Sequence, residues 1–220
     1  MARSISISWE NQSVTGILEG DGSSGILLAH GAGTDQNHPN MAGLRSGLAG
    51  TGLTVMTFNY PYTERGSKRP DRTEKLVACH RAAADALRSG VDLLFLAGRS
   101  MGGRMGTYLA AEGYQCEGLV LYAYPLHPPG KPENLRVAHF PDVTQPMIFF
   151  QGTRDPLSRM ELFNRYIQPL PNVQVEVLEG ATHGYKGGGW TSETMTERLV
   201  TGTARFIASI SSGKNRGITA

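Results

Sequence analysis

Near the start of the chain Ile5, Ile7 and Trp9 alternate with polar residues, and Val14, Ile17 and Leu18 follow after a polar break. Alternation at period two marks a half-buried strand, so both pieces predict strands of an opening hairpin or meander. Short apolar runs come next: Ile26 to Ala29, Leu53 to Phe58, Val91 to Ala97, Leu119 to Ala123, Met147 to Phe150, and Val173 to Leu178. Runs this short do not separate strand from buried helix by period alone. Their β-branched content and flanking glycines assign them to buried parallel strands.

Helical spacing appears between several of these runs. Met41, Leu44 and Leu48 share a face, with Pro39 suited to a first turn. Leu76, His80, Ala83, Ala84 and Leu87 mark a longer helix, ahead of which Asp71 and Glu74 offer a capping pair. Met101, Met105, Tyr108 and Leu109 mark another, and a last one runs from about Ser192 to Ile210. Strand alternating with helix predicts an α/β architecture, a mostly parallel sheet with right-handed crossovers. A single domain is expected over residues 1–210, followed by a polar tail over 211–220.

Composition narrows the picture. A chain of 220 residues has room for one sizeable core. With 21 Lys and Arg against 19 Asp and Glu, nothing suggests nucleic acid or an anionic membrane as partner. The basic run from Arg65 to Arg72 is interrupted by Asp71 and reads as a solvated loop. Cys79 and Cys116 are far apart and fit neither a disulfide framework nor a metal site. The first residues contain no apolar core of a signal peptide, and no segment reaches transmembrane length. A soluble, cytoplasmic protein is the expectation.

Candidate chemistry begins where the strand Leu93 to Ala97 runs into Gly98-Arg99-Ser100-Met101-Gly102. A tight strand-to-helix turn lifts a serine hydroxyl above the sheet edge, and small residues two before and two after it avoid a clash across the bend. Ser100 is therefore the candidate nucleophile. It needs a histidine base and a carboxylate to orient that base. Asp155 lies just past the strand Met147 to Phe150, and His183 just past the strand Val173 to Leu178. Both fall at the C-terminal edge of the expected sheet, where such sheets place their sites. Asp142 precedes its strand and Glu161 lies in the helix expected after Asp155. His127 and His139 occupy a proline-rich connection, and His80 lies along a helix. The two carboxylates are the weaker candidates for the acid, and the three histidines are read as structural or surface residues. The turn His30-Gly31-Ala32-Gly33 aims small-residue amides at the same edge, so Ala32, with Gly33 as the alternative, joins the Met101 amide as a candidate oxyanion donor. His30 is read as a loop organiser.

This order of Ser100, Asp155 and His183 resembles the α/β-hydrolase superfamily across nearly the whole chain. More narrowly, Gly98-Arg99-Ser100-Met101-Gly102-Gly103-Arg104, His30-Gly31-Ala32-Gly33 and Asn59-Tyr60-Pro61-Tyr62 resemble small hydrolases grouped with the testis-expressed and non-specific-lethal-complex hydrolase-like proteins. That group is similar in plan to dienelactone hydrolases, which carry cysteine where this chain has Ser100. The resemblance implies a three-layer α/β-hydrolase fold and a serine hydrolase acting on small esters through an acyl-enzyme. The short connection from Tyr124 to Pro146 leaves no room for a large cap domain. No metal or organic cofactor is expected. Tyr60, Tyr62, Arg65, Arg99 and Trp190 are candidate substrate contacts, and an arginine facing the cleft would favour an anionic substrate. Two alternatives stay open: a binding or scaffolding protein that retains the fold, and a thioesterase or amidase using the same residues.

Overall fold

The structure is a computed structural model and describes residues 1–215. The expected hairpin forms: β1 (Arg3–Trp9) and β2 (Gln12–Glu19) pair antiparallel, Ile7 opposite Val14. Six further strands follow, β3 (Ser24–Ala29), β4 (Thr54–Phe58), β5 (Leu93–Arg99), β6 (Gly118–Tyr122), β7 (Met147–Gly152) and β8 (Val173–Leu178). They build one sheet of eight strands in the order β1-β2-β4-β3-β5-β6-β7-β8. From β4 to β8 all neighbours run parallel, while β2 meets β4 antiparallel.

Alternation along the central strands sends side chains to two separate cores. Leu27, Leu94, Leu96, Leu119 and Leu121 face one side, where α3 (Thr73–Arg88) and α4 (Met101–Ala111) supply Leu76, Ala83, Met105 and Leu109. Ile26, Leu28, Phe95, Val120 and Phe150 face the other, against Met41 and Leu48 of α1 (Pro39–Ala49) and Leu199 and Phe206 of α6 (Ser192–Asn215). Because both faces are covered, these strands read as continuous apolar runs. Full burial of each such side chain contributes about 1.5–3 kcal/mol, so the central strands hold the frame rigid. The result is the three-layer α/β fold with a mostly parallel sheet. Between β6 and β7 there is one short 3-10 turn, Phe140–Asp142, and no cap domain.

Two local expectations change. Helix α3 is not capped by the Asp71–Glu74 pair: its N-cap is Arg72, without a side-chain cap. Asp71 instead binds the Arg65 guanidinium at 2.7 Å, with Lys75 at 3.9 Å, because two cations outcompete the helix amides for one carboxylate. The segment after Tyr60 contains a one-turn helix α2 (Pro61–Glu64) started by Pro61 at its first position. Helix α6 continues to Asn215, past the boundary expected at 210, so residues 211–215 belong to it; residues 216–220 lie outside the described part. The remaining helix, α5 (Met160–Tyr166), falls after Asp155 as expected.

Candidate active site

Strand β5 delivers Ser100 to the sheet's C-terminal edge, and α4 starts at the next residue. Ser100 has φ 51° and ψ −113°, a positive-φ conformation rare outside glycine. Such a residue stores on the order of 1–3 kcal/mol, which the buried elements on either side must hold in place. The turn tolerates no bulk. A Cβ on Gly98 would lie 2.3 Å from the Gly102 carbonyl carbon, and one on Gly102 would lie 2.4 Å from the Ala29 carbonyl oxygen. Both contacts are with backbone, so neither can yield.

The candidate base arrives from the other half of the sheet. After β8, residues 179–190 form a loop closed on itself: Thr182 N–H donates to Lys186 O at 2.9 Å, and Trp190 Nε1–H donates to Glu179 O at 2.9 Å. The Tyr185 hydroxyl pins the loop to β7 by donating to Phe150 O at 2.9 Å. Held this way, His183 receives the Ser100 hydroxyl on Nε2 at 2.9 Å and donates from Nδ1 to Asp155 Oδ2 at 2.8 Å. Asp155 has a side chain 0 % exposed, against 22 % for His183. Its carboxylate also accepts from Leu157 N–H at 2.8 Å and from Gln151 Nε2 at 3.1 Å. A carboxylate acceptor on Nδ1 selects the tautomer whose Nε2 lone pair faces serine. The three side chains thus form a continuous Ser–His–Asp triad.

The oxyanion side is built by β3 and the loop after it. His30 is buried and holds this loop from beneath: Nδ1–H donates to Gly31 O at 2.8 Å, and Nε2 accepts from Tyr60 N–H at 3.3 Å. Burial lowers its pKa, which keeps the ring neutral and able to play both parts. Ala32 and Gly33 form an exposed turn. Among the described residues the amides of Ala32, Gly33 and Met101 donate no hydrogen bond to backbone, and the α4 dipole adds positive potential at Met101.

Beside the triad lies a cavity of about 440 Å³, a size suited to a small ligand. Arg99 and Gly184, chain neighbours of Ser100 and His183, are in its wall, as is Trp190. The structure therefore brings two of the five candidate substrate contacts to this cavity. Tyr60, Tyr62 and Arg65, also expected to contact substrate, are not in its wall. Tyr60 is 0 % exposed and its hydroxyl meets His80 Nδ1 at 2.9 Å; Tyr62, 1 % exposed, stacks parallel to Tyr60. The apolar surface beneath the His30 loop takes in both rings, while Arg65 is engaged by Asp71. The other histidines keep their structural reading: His127 Nδ1 donates to Pro128 O, His139 Nε2 meets Thr107 Oγ1 at 2.9 Å, and His80 is fully buried.

Sequence reasoning passed over Gln151 and most of the cavity wall, including Met41, Leu44, Tyr122, Lys186 and Met195. Gln151 ends an apolar strand and leads into Gly-x-x-Asp, a polar residue in a buried run that signals a partner nearby. The wall residues carry no such signal, since residues 34–44, the ends of β5 and β6, and residues 184–199 meet there.

Fold and site together define an α/β hydrolase with a serine triad. The chain belongs to the alpha/beta hydrolase domain family, whose profile matches residues 22–211. It is similar in fold to Est1E from Butyrivibrio proteoclasticus, at 15 % identity over 93 % of this chain and 99 % of that one, with a TM-score of 0.75. It is also similar to a lid-less α/β serine hydrolase from Xanthomonas campestris, at 18 % identity, coverage of 93 % and 94 %, and a TM-score of 0.73. Thermogutta terrifontis esterase 2, solved phosphoramylated by tabun, matches at 19 % identity over 95 % and 94 %, with a TM-score of 0.70. Among the described residues no helix is long and apolar enough to cross a membrane, and no group of three or more His, Cys, Asp or Glu is placed to hold a metal ion.

Proposed function

We propose that this protein is a carboxylesterase on small esters, with Ser100 as nucleophile, His183 as general base and acid, and Asp155 as the group that orients His183. The observation that carries the reading is the unbroken hydrogen-bonded line from a strained Ser100 through His183 to a buried Asp155. His183 takes the hydroxyl proton as Ser100 attacks the ester carbonyl, and the imidazolium formed is stabilised by Asp155. The oxyanion rests on the Met101 and Ala32 amides. Gly33, in the same exposed turn, is the alternative donor. His183 then gives its proton to the leaving alcohol, and a water deprotonated by His183 releases the acid.

Finer placement follows the sequence motifs: the chain groups with the testis-expressed and non-specific-lethal-complex hydrolase-like proteins, forms a single domain and works in the cytoplasm, where its two free cysteines stay reduced. Est1E has been solved with ferulic acid bound, which supports a carboxylic acid as product in this fold.

The test is labelling with a fluorophosphonate, whose tetrahedral adduct mimics the intermediate. Adduct at Ser100 in the native protein, lost on denaturation and in S100A, is the expected result. No adduct on the folded protein would instead favour a scaffold that retains the fold.

A further inference from the structure

The cavity beside Ser100 carries charge of one sign. Arg99 and Lys186 are in its wall, and no Asp or Glu is. Arg99 is half-buried yet belongs to no ion pair among the described residues. Its Nη2 donates to the His183 carbonyl at 2.6 Å, and its guanidinium lies 5.4 Å from the centre of the Tyr185 ring. The triad carboxylate is not paired with it: the Asp155 oxygens accept from Leu157, Gln151 and His183. A half-buried cation lacking an anion gains when a ligand brings one.

Reach is set by Gly31. A side-chain carbon built there would lie 3.5 Å from Ser100 Cβ and 4.0 Å from Arg99 Nη1. The point also lies 3.4 Å from the Arg99 carbonyl oxygen, and with glycine there no side chain from residue 31 separates Ser100 from the Arg99 guanidinium. Part of the wall is an apolar floor, where Met41, Leu44, Tyr122, Met195 and Leu199 are all buried, and Thr34, His38, Asn40, Ser192 and Thr196 place polar groups around it. That floor suits hydrocarbon and does not suit a second charge.

We propose that this cavity is the acyl site and selects acyl groups that bear a carboxylate, making monoesters of dicarboxylic acids the substrate class. The hydrocarbon part lies on the apolar floor, and the free carboxylate pairs with Arg99, with Lys186 adding positive potential at the mouth. A guanidinium fork matches a planar carboxylate in a way a point charge does not. This inference rests on the hydrolase reading of Ser100 and narrows it. The second carboxylate takes no part in bond making: the ester bond to Ser100 forms, the alcohol leaves with the proton from His183, and water releases the dicarboxylate.

The experiment compares para-nitrophenyl hydrogen glutarate with para-nitrophenyl pentanoate, which replaces the carboxylate by a methyl group. At low ionic strength kcat/KM should favour the glutarate ester by about tenfold or more. The ratio should fall to about one in R99Q and part of the way in K186Q. Taking the ratio cancels any general damage that R99Q does through His183. A ratio of about one or below in the parent, or an unchanged ratio in R99Q, would overturn the proposal while Ser100 labelling leaves the esterase reading standing. A second arm needs no turnover: monomethyl glutarate should raise the melting temperature of S100A and leave that of S100A/R99Q unmoved. If Ser100 proves unreactive, a shift that depends on Arg99 upholds the acid-binding site and removes only the hydrolase reading. Absence of any shift removes the site as well.

Discussion

Gln151 donates its side-chain amide to the same Asp155 oxygen that receives the His183 ring, at 3.1 Å against 2.8 Å. Gln151 is the next-to-last residue of β7 and is fully buried, so it fixes the carboxylate from the rigid strand side while the Leu157 amide fixes the other oxygen. Two donors besides histidine keep the carboxylate from rotating. Q151L removes one of them and should lower kcat several-fold to about tenfold with little change in KM, because the loss is one of orientation. Steady-state kinetics on an activated ester check this, together with the rate of fluorophosphonate labelling. A changed KM at constant kcat would assign Gln151 to binding instead.

Removing the triad members should cost unequal amounts. S100A and H183A should each lower kcat by about 10⁴ or more, since nucleophile and base fail together. D155A should be milder, because the base and the oxyanion amides persist. Circular dichroism must show all three variants folded, and a double variant S100A/H183A should be no worse than either single one.

The turn at Ser100 makes a stability prediction with an internal control. G102A drives a Cβ to 2.4 Å from the Ala29 carbonyl oxygen and should destabilise the fold by about 1–3 kcal/mol while abolishing labelling. Gly43, exposed on α1, offers the contrast, since a Cβ there would meet nothing within 4 Å. G43A should stabilise by about 0.5–1 kcal/mol, because alanine has less backbone freedom to lose in a helix. Urea unfolding of the two variants against the parent separates these signs.

Acid should weaken the protein through its buried histidines. Burial lowers His80 from 6.5 to about 3 and His139 from 6.5 to about 4, with Arg104 adding to the effect on His139. Both rings stay neutral in the folded state while the unfolded chain takes up protons below pH about 6.5. The unfolded state therefore binds more protons in this window, so stability is fully present above it and falls as pH drops toward the folded values. Each ring contributes at most about 1.4 kcal/mol per pH unit. Urea midpoints from pH 7 to 4.5 should decline, and H80Q should show a shallower decline even if its midpoint at pH 7 is lower. An equal slope in H80Q would mean that His80 titrates normally.

The order of elements, the sheet type and the triad were legible in the chain itself. Each depends on local signals: apolar runs that end in polar loops, Gly98 and Gly102 around Ser100, and Asp155 and His183 just beyond strand ends. A parallel sheet puts every such strand end at one edge, so sequence position alone predicts that the three residues converge. The cavity was not legible in that way. Its wall joins α1, the loop after β8 and the start of α6, segments whose contacts depend on how helices pack across the sheet and leave no mark in local spacing. The same reason explains Tyr60, Tyr62 and Arg65. They follow β4 at the correct edge, yet the tyrosines turn inward to His80 and the apolar core, and Arg65 pairs with Asp71. Position along the chain determines which edge a residue reaches, whereas burial and pairing, decided only in the tertiary structure, determine whether it faces the ligand.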